Sequence, residues 1–352
     1  MCKYIDINNL SKYRSAIMGL SICMIMFCHG TVNLTGASET VYSILMQFSQ
    51  IGVDIFLLVS GLGCFYSLSK DNKLLSFYYK RGSRILIPYA LVISLWAVLQ
   101  VLLPVESSLV GFIYRYCLVT FFLRGELSAW YVAAVLVLYA IAPFLYKLIK
   151  KGKHYALVMI VLPIIIASVM HYSATVLDVE KIAYALKVVS EIFVIRIPVF
   201  VVGMLVGDKI ICGNNPKISL KLVVSVFSVF IVLFLLNTLA FPGYKWFFSQ
   251  WFISRFLYLF ISVCVALFAA CFFNKFANSK IHSVFLWLGS LTFEIYLIHE
   301  KILSATDKYL IGLTGSNIVD SVISNALAIA IAIVCGLLCH KIVEFILSKV
   351  KK

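Results

Sequence analysis

The apolar stretch Ile51-Gly-Val-Asp-Ile-Phe-Leu-Leu-Val-Ser-Gly-Leu-Gly-Cys-Phe-Tyr-Ser-Leu68 contains one charged side chain, Asp54. Apolar runs of similar length recur along the chain, and each is long enough to cross a bilayer as a helix. With 62% hydrophobic and 13% charged residues, the sequence predicts an all-α polytopic membrane protein. A carboxylate inside such a run is costly in lipid, so Asp54 marks a candidate functional site.

We predict ten transmembrane helices. Their bounds are 14–34, 48–68, 85–103, 129–147, 155–172, 189–208, 219–240, 252–273, 284–302 and 319–346. With both termini in the cytoplasm, twenty-one lysines and arginines lie in inner segments and six in outer loops, as expected for membrane proteins. The net charge of +15 is spread over short loops rather than one face. No nucleic-acid partner is therefore predicted; the partner surface is the lipid bilayer.

Residues 108–123 are apolar, but they contain Arg115 and form too short a run for a span. Counting them as a span would invert every later loop and place Lys147, Lys150 and Lys151 outside. We therefore predict an extra short re-entrant or interfacial helix near 108–123 on the outer face.

Most of the ten cysteines lie within apolar spans and lack the paired spacing of a zinc site. They are interpreted as small packing residues, and no metal site is predicted.

Several polar side chains lie inside the predicted spans. His29 and Asp54 each lie five or six residues inside the outer end of a span, roughly 8–9 Å below the membrane surface at about 1.5 Å per residue. In an antiparallel hairpin these two side chains could meet. The other polar groups at comparable depth are Glu191 and Arg196 of the sixth span, which can kink at Pro198, and Glu294, Tyr296 and His299 of the ninth. We expect all of them to converge on one polar cavity in the outer leaflet.

His29 is the candidate general base, because imidazole titrates near neutral pH and a carboxylate such as Asp54 would fix its tautomer. Arg196 could neutralise Asp54 or stabilise an oxyanion. The alternative is structural: His29 bonds a backbone carbonyl, while Asp54 and Arg196 form a buried ion pair between helices.

A basic cluster precedes the third span at the inner face. Arg81 and Arg84 are three residues apart, so both project from one side of a helix, where planar guanidinium groups suit phosphate oxygens. Basic loops also fix membrane orientation or touch anionic lipid. The charge pattern therefore leaves open both a phosphate-bearing cofactor and a purely topological role.

Six phrases resemble, in order, motifs of the integral membrane acyltransferase 3 family. They are Arg14–Leu20 with His29, Gly52–Gly61, Tyr79–Tyr89, Ala129–Val132 with Tyr139–Pro143, Arg196–Gly203 and Leu288–His299. The resemblance covers nearly the whole chain and implies a single transmembrane acyltransferase domain over 1–352. It also implies transfer of an acyl group, usually acetyl from cytoplasmic acetyl-CoA, to a hydroxyl of a cell-surface glycan or polysaccharide precursor. The implied location is the inner (cytoplasmic) membrane of a bacterium.

The resemblance also assigns residues. The first-helix histidine, which the family uses in catalysis, corresponds to His29, and the final-motif histidine corresponds to His299. The family's Arg-x-Pro phrase corresponds to Arg196. For the oxyanion, the sequence offers Arg196 or Tyr296 as donors, which makes Tyr296 the remaining candidate catalytic residue.

The donor-binding residues follow in the same way. The Arg-x-x-Arg associated with the acyl donor corresponds to Arg81 and Arg84. Many members also have an arginine where this chain has Met18. Arg14 lies one helical turn earlier on the same face, and is expected to take over part of that donor-binding role.

The competing interpretation is a proton-coupled secondary transporter or a flippase of a lipid-linked sugar, in which the same buried groups bind a proton or the sugar. Transporters often contain inverted repeats, and this sequence shows none. A third alternative is a non-catalytic scaffold. For an acyltransferase, the sequence does not separate direct transfer from a covalent relay.

Overall fold

The computed structural model describes residues 3–30, 32, 34, 36–70, 73–102, 109–213, 216–239, 249–310, 312–314 and 316–350. These residues are mostly helical. The helices are Asn8–Lys12, Arg14–His29, Ala37–Ser49, Ile51–Lys70, Leu74–Leu102, Leu109–Tyr116, Leu118–Arg124, Trp130–Lys151, Lys153–Val176, Glu180–Ile192, the 3₁₀ turn Val194–Arg196, Ile197–Cys212, Leu220–Leu239, Gln250–Lys275, Lys280–Ser290, Thr292–Leu310 and Asn317–Val350. Two short strands, Tyr4–Asp6 and Lys217–Ser219, pair antiparallel.

Eight helical stretches in the described part of the chain are long and apolar enough to cross a membrane. A ninth candidate is the pair Lys280–Ser290 and Thr292–Leu310, which is bent by 79°. Helix Arg14–His29 is apolar but has only 16 residues. These ten segments coincide in order with the ten predicted spans, so the all-α polytopic class is confirmed; the orientation stays a prediction.

The first two spans differ from their predicted bounds. The first helix ends at His29, rather than continuing to residue 34, because Gly30 adopts an extended conformation and its N–H closes the last turn on Met26 O and Phe27 O. Glycine is a weak helix former and a common stop. The second span is preceded by helix Ala37–Ser49, so the candidate span runs from Ala37 to Lys70.

The segment near 108–123 forms two short helices, Leu109–Tyr116 and Leu118–Arg124, separated at Cys117 by an extended backbone. The longer has eight residues, which gives a length of about 12 Å. Neither can cross a bilayer alone, so the prediction that this segment is a short additional element rather than a span is confirmed.

The described contacts divide the chain into two compact units. The first comprises residues 1–12, 54–82 and 95–272. Its second and sixth spans approach through reciprocal glycines: a Cβ added at Gly61 would overlap Phe200 O, and one at Gly203 would overlap Leu58 O. Small residues allow such close backbone contact between membrane helices. This crossing fixes the position of Asp54 relative to Arg196.

The second unit comprises residues 13–53, 83–94 and 273–352. Here the first helix crosses the first half of the ninth span in the same way. A Cβ at Gly19 would overlap Phe285 O, and one at Gly289 would overlap Ser15 O. The chain then bends at Leu291, and the second half of the ninth span packs on both the first helix and the last helix.

Candidate active site

Asp54 and Arg196 form a buried ion pair in the first unit. Arg196 Nε lies 3.1 Å from Asp54 Oδ1, and the two residues are 2% and 0% exposed. Arg196 Nη1 also donates to Ile192 O at 2.8 Å, and the guanidinium carbon lies 5.2 Å from the centre of the Trp130 ring. The ion pair, one of the alternatives left open by the sequence, is therefore present.

A break in the sixth span positions this arginine. Arg196 is the last residue of the 3₁₀ turn Val194–Arg196, and Pro198 lies in the first turn of the next helix. Proline fits there because its missing N–H would have no partner within the helix. The predicted irregularity at Pro198 is confirmed, since the helix is interrupted in the residues just before it.

Arg255 is a second cation of this region, and the sequence analysis missed it. It is buried in the eighth span, with its guanidinium 5.5 Å from the Tyr258 ring, and it interacts electrostatically with Asp54. Arg255, like Arg196, is a charged residue inside a predicted apolar span. The rarity of charge inside the membrane is therefore sufficient to mark it as a candidate functional residue. Among the described residues, Asp54 thus has one ion-pair partner, Arg196, and a second arginine whose charge it senses.

Glu191 belongs to a separate buried network that also contains His171, another residue missed from the sequence. Glu191 Oε1 lies 3.4 Å from His171 Nδ1 and accepts a hydrogen bond from Ser249 Oγ. His171 Nε2 accepts from the backbone N–H of Ser249 at 3.1 Å. Because the imidazole bonds the serine backbone rather than its hydroxyl, this is not the arrangement of an activated serine nucleophile. The network connects three helices.

A pair of histidines lies in the second unit. His29 is exposed at the end of its helix, whereas His299 is buried, and their ring centres are 5.1 Å apart at an angle of 71°. His299 Nδ1 donates to the carbonyls of Tyr296 at 2.8 Å and Ile295 at 3.2 Å. In the neutral ring, Nε2 is then the acceptor, and among the described residues it has no hydrogen-bond partner.

Glu300 is the carboxylate that interacts electrostatically with His29 inside this unit. The sequence analysis missed it, although it follows His299 directly. Asp54 belongs to the other unit, so its role in orienting His29 stays a prediction, as does the convergence of all these groups on one cavity.

Tyr296 and Glu294 lie on the same helix as His299 but face different partners. The Tyr296 ring centre is 5.7 Å from that of His299. Glu294 instead lies 2.9 Å from His340 Nδ1, ten residues before the end of helix Asn317–Val350. The expectation that Glu294 lies in the outer half stays a prediction, and this contact does not favour it. The bend at Leu291 places this residue towards the end of the last helix that is predicted to be cytoplasmic.

The three predicted donor-binding arginines differ in their surroundings. Arg14, the first residue of the 16-residue helix that ends at His29, is exposed, as is Arg84. Arg81 is half-buried: its Nη2 donates to Gly63 O, and its guanidinium carbon lies 5.6 Å from the Tyr139 ring. Arg81 therefore contributes to helix packing.

These features are those of a polytopic membrane protein with buried charge pairs and an accessible histidine. A comparison with protein-family models matches residues 16–340 to the acyltransferase domain of the acyltransferase 3 family. The chain therefore belongs to the acyltransferase 3 family and is a membrane acyltransferase. Comparisons with curated proteins and with solved structures gave no match.

Proposed function

We propose that this protein transfers an acyl group, acetyl in the first instance, from cytoplasmic acetyl-CoA to a hydroxyl of a cell-surface glycan or its lipid-linked precursor. Family membership supports the acyl transfer. The observation that supports His29 as the base is its exposed ring at a helix end, in contact with the buried His299. A catalytic base must reach its substrate, and His29 is the accessible member of this pair.

In the proposed reaction His29 takes the proton of the acceptor hydroxyl as its oxygen attacks the thioester carbonyl carbon. A C–O bond forms, the C–S bond breaks, and the departing thiolate of CoA takes the proton back from His29. As His29 takes up this proton, the Glu300 carboxylate and the C-terminal end of the His29 helix offset part of the developing positive charge. His299, fixed by two backbone carbonyls, positions the His29 ring.

Arg196 and Tyr296 are the two proposed oxyanion donors, and their environments favour Tyr296. Arg196 is 2% exposed and already binds Asp54, whereas Tyr296 is half-buried beside the histidine pair. We therefore assign Asp54 and Arg196 to holding the second and sixth spans together, and Tyr296 to the oxyanion.

The acyl donor has to reach from the predicted cytoplasmic end of the first helix to His29 at its other end. Arg14 and His29 are the two ends of one helix, and the fifteen-residue separation corresponds to about 22 Å. If the phosphates of the donor bind at the predicted cytoplasmic end of this helix, where Arg14 lies, only a long, thin arm can bring the thioester to His29. Coenzyme A has such an arm, which supports acyl-CoA as the donor class.

The test is acetylation of an isolated glycan by purified protein, read as the mass increase of one acetyl group. His29→Ala should lower the rate by about 10²–10⁴-fold without changing the unfolding temperature. His154→Ala is the matched control: His154 is exposed on a different helix, so its replacement should leave the rate unchanged.

Normal transfer by His29→Ala would refute the catalytic assignment. Proton-driven uptake of a lipid-linked sugar into vesicles without acyl donor would favour a transporter instead.

A further inference from the structure

A cavity of about 370 Å³ lies in the first unit between the second and third spans. Ser67 and Lys70 line it from the second span, and Ser76, Phe77 and Lys80 from the third. Its volume lies within the range of about 300–1,000 Å³ typical of small-molecule sites. The predicted orientation places the cavity at the cytoplasmic face.

No salt bridge from a described residue compensates the positive charge that lines this cavity. Lys70 and Lys80 are both exposed, and neither forms a salt bridge with any described residue. The sequence from 67 to 84 contains five cationic residues and only one acidic residue, Asp71. The two ammonium groups therefore offer an anion a site with little competition.

The other three residues that line the cavity are neutral: two serines and one phenylalanine. Ser67 and Ser76 are half-buried, and Phe77 is buried. Each hydroxyl is a hydrogen-bond donor, and each ammonium provides three. Lys80 lies one helical turn beyond Ser76, so both project from one face of the third span, while Ser67 and Lys70 do the same on the second.

Arg81 connects the two helices that form the walls of this cavity. It bonds Gly63 O, and Gly63 precedes Ser67 by one turn on the same face of the second span. Arg81 thereby holds the two walls of the cavity together, and leaves the two lysines as its accessible cations.

We propose that this cavity is a phosphate-binding site, in which Lys70 and Lys80 contact the phosphate oxygens, Ser67 and Ser76 donate hydrogen bonds, and Arg81 positions the helices. The preference for cytoplasmic lysines in membrane proteins accounts for the sign of this charge. It does not account for the arrangement of two lysines, which lack a salt bridge to any described residue, and two serines around one cavity.

Two sources carry the same chemistry: a phosphate of the acyl donor and the headgroup of an anionic lipid. The first source rests on the proposed function, whereas the second does not. A phosphate site on the lysines would also give Arg81 a different role from the one predicted from the sequence.

The experiment uses the full-length protein in nanodiscs of a neutral lipid. One arm measures binding of coenzyme A, and the other measures retention of phosphatidylglycerol added during reconstitution. The test variant is Lys70→Gln with Lys80→Gln; the matched control is Lys151→Gln, which also removes an exposed lysine from the predicted cytoplasmic side. A charge-conserving variant, Lys70→Arg with Lys80→Arg, serves as the rescue.

We expect the double glutamine variant to bind one of the two probes at least tenfold more weakly, because it lacks the hydrogen bonds from the charged ammonium groups to the phosphate. The arginine variant should restore most of the affinity, the control should bind normally, and all unfolding temperatures should agree.

Lysine-dependent binding of the lipid alone would keep the phosphate site while removing its link to the acyl donor. Equal binding of both probes by wild type and the double glutamine variant would overturn the site. Acetyl transfer that survives in both variants would leave the proposed function intact.

Discussion

Asp54 and Arg196 form an ion pair whose two members are both almost completely withdrawn from solvent, at 0% and 2% exposure. Removing one partner of such a pair leaves an uncompensated buried charge, which costs about 3–5 kcal/mol, whereas replacing both with apolar groups is often neutral. We therefore expect Arg196→Met to lower the unfolding temperature strongly, and the combination of Asp54→Leu with Arg196→Met to recover much of that loss. Thermal unfolding in detergent measures both.

The exposed pair Lys150–Asp208 provides the control, since its side chains are 39% and 28% exposed and its ions are 2.8 Å apart. Lys150→Met should cost at most about 1 kcal/mol. The activity of the combined variant then tests the structural role assigned to the pair. If this variant is stable and active, the role is structural; if it is stable yet inactive, Asp54 or Arg196 takes part in the reaction. Equal stability of Arg196→Met and wild type would contradict the ion-pair argument.

The sequence predicted which residues belong to the candidate active site better than it predicted which of them are in contact. Arg196 lies 142 residues from Asp54, and the cost of charge in lipid was sufficient to associate them. The contact between His29 and His299 was not derivable in the same way, since depth does not specify which helices are neighbours. Glu300 was missed because it lies near the end of the predicted ninth span, where a carboxylate has ready access to water.

At the level of helices, reciprocal glycines determine two crossings. A Cβ at Gly61 would overlap the Phe200 carbonyl oxygen, so the second and sixth spans would have to separate. Overpacking of this kind costs about 1–3 kcal/mol. Gly61→Ala is therefore expected to lower the unfolding temperature and, by shifting Asp54 relative to Arg196, to reduce the yield of folded protein.

Gly82→Ala is the matched control for that change. It also replaces a helical glycine, but a Cβ at Gly82 meets nothing within 4 Å. At this position alanine should stabilise the protein by about 0.4–1 kcal/mol, because it reduces the conformational entropy of the unfolded chain. A fall in unfolding temperature of the same size in both variants would show that loss of glycine itself, rather than the crossing, is responsible.

Hydropathy located every span but not the breaks within them. The ninth span is bent by 79° at Leu291, directly after Gly289-Ser290 and before Thr292. Gly/Ser pairs are common at sharp helix kinks, but a hydropathy window averages over them. The first helix ends at His29 because Gly30 leaves the helix, although apolar residues continue beyond it. Such bends depend on which helices pack together, and this is information that a hydropathy pattern lacks.

For the molecule as a whole, the remaining prediction is its orientation, which follows from the excess of lysine and arginine assigned to inner segments. Two exposed cysteines test it. Cys117 separates the two short helices on the predicted outer face, and Cys212 ends the sixth span on the predicted inner face. Two variants that each retain one of these as the only cysteine would report one side each.

A membrane-impermeant maleimide added to intact cells should label the variant that retains Cys117 and leave the one that retains Cys212 unlabelled until the membrane is opened. The physical reason is that an odd number of crossings separates them: the fourth, fifth and sixth spans lie between the two residues. If the segment 108–123 crossed the membrane, every later loop would be inverted, and Cys212 would become accessible from outside. Labelling of the Cys212 variant in intact cells would therefore overturn the assigned topology. Labelling of the Cys117 variant alone would support it, and would also assign the cavity lined by Lys70 and Lys80 to the cytoplasmic side, where phosphate-bearing acyl donors are expected.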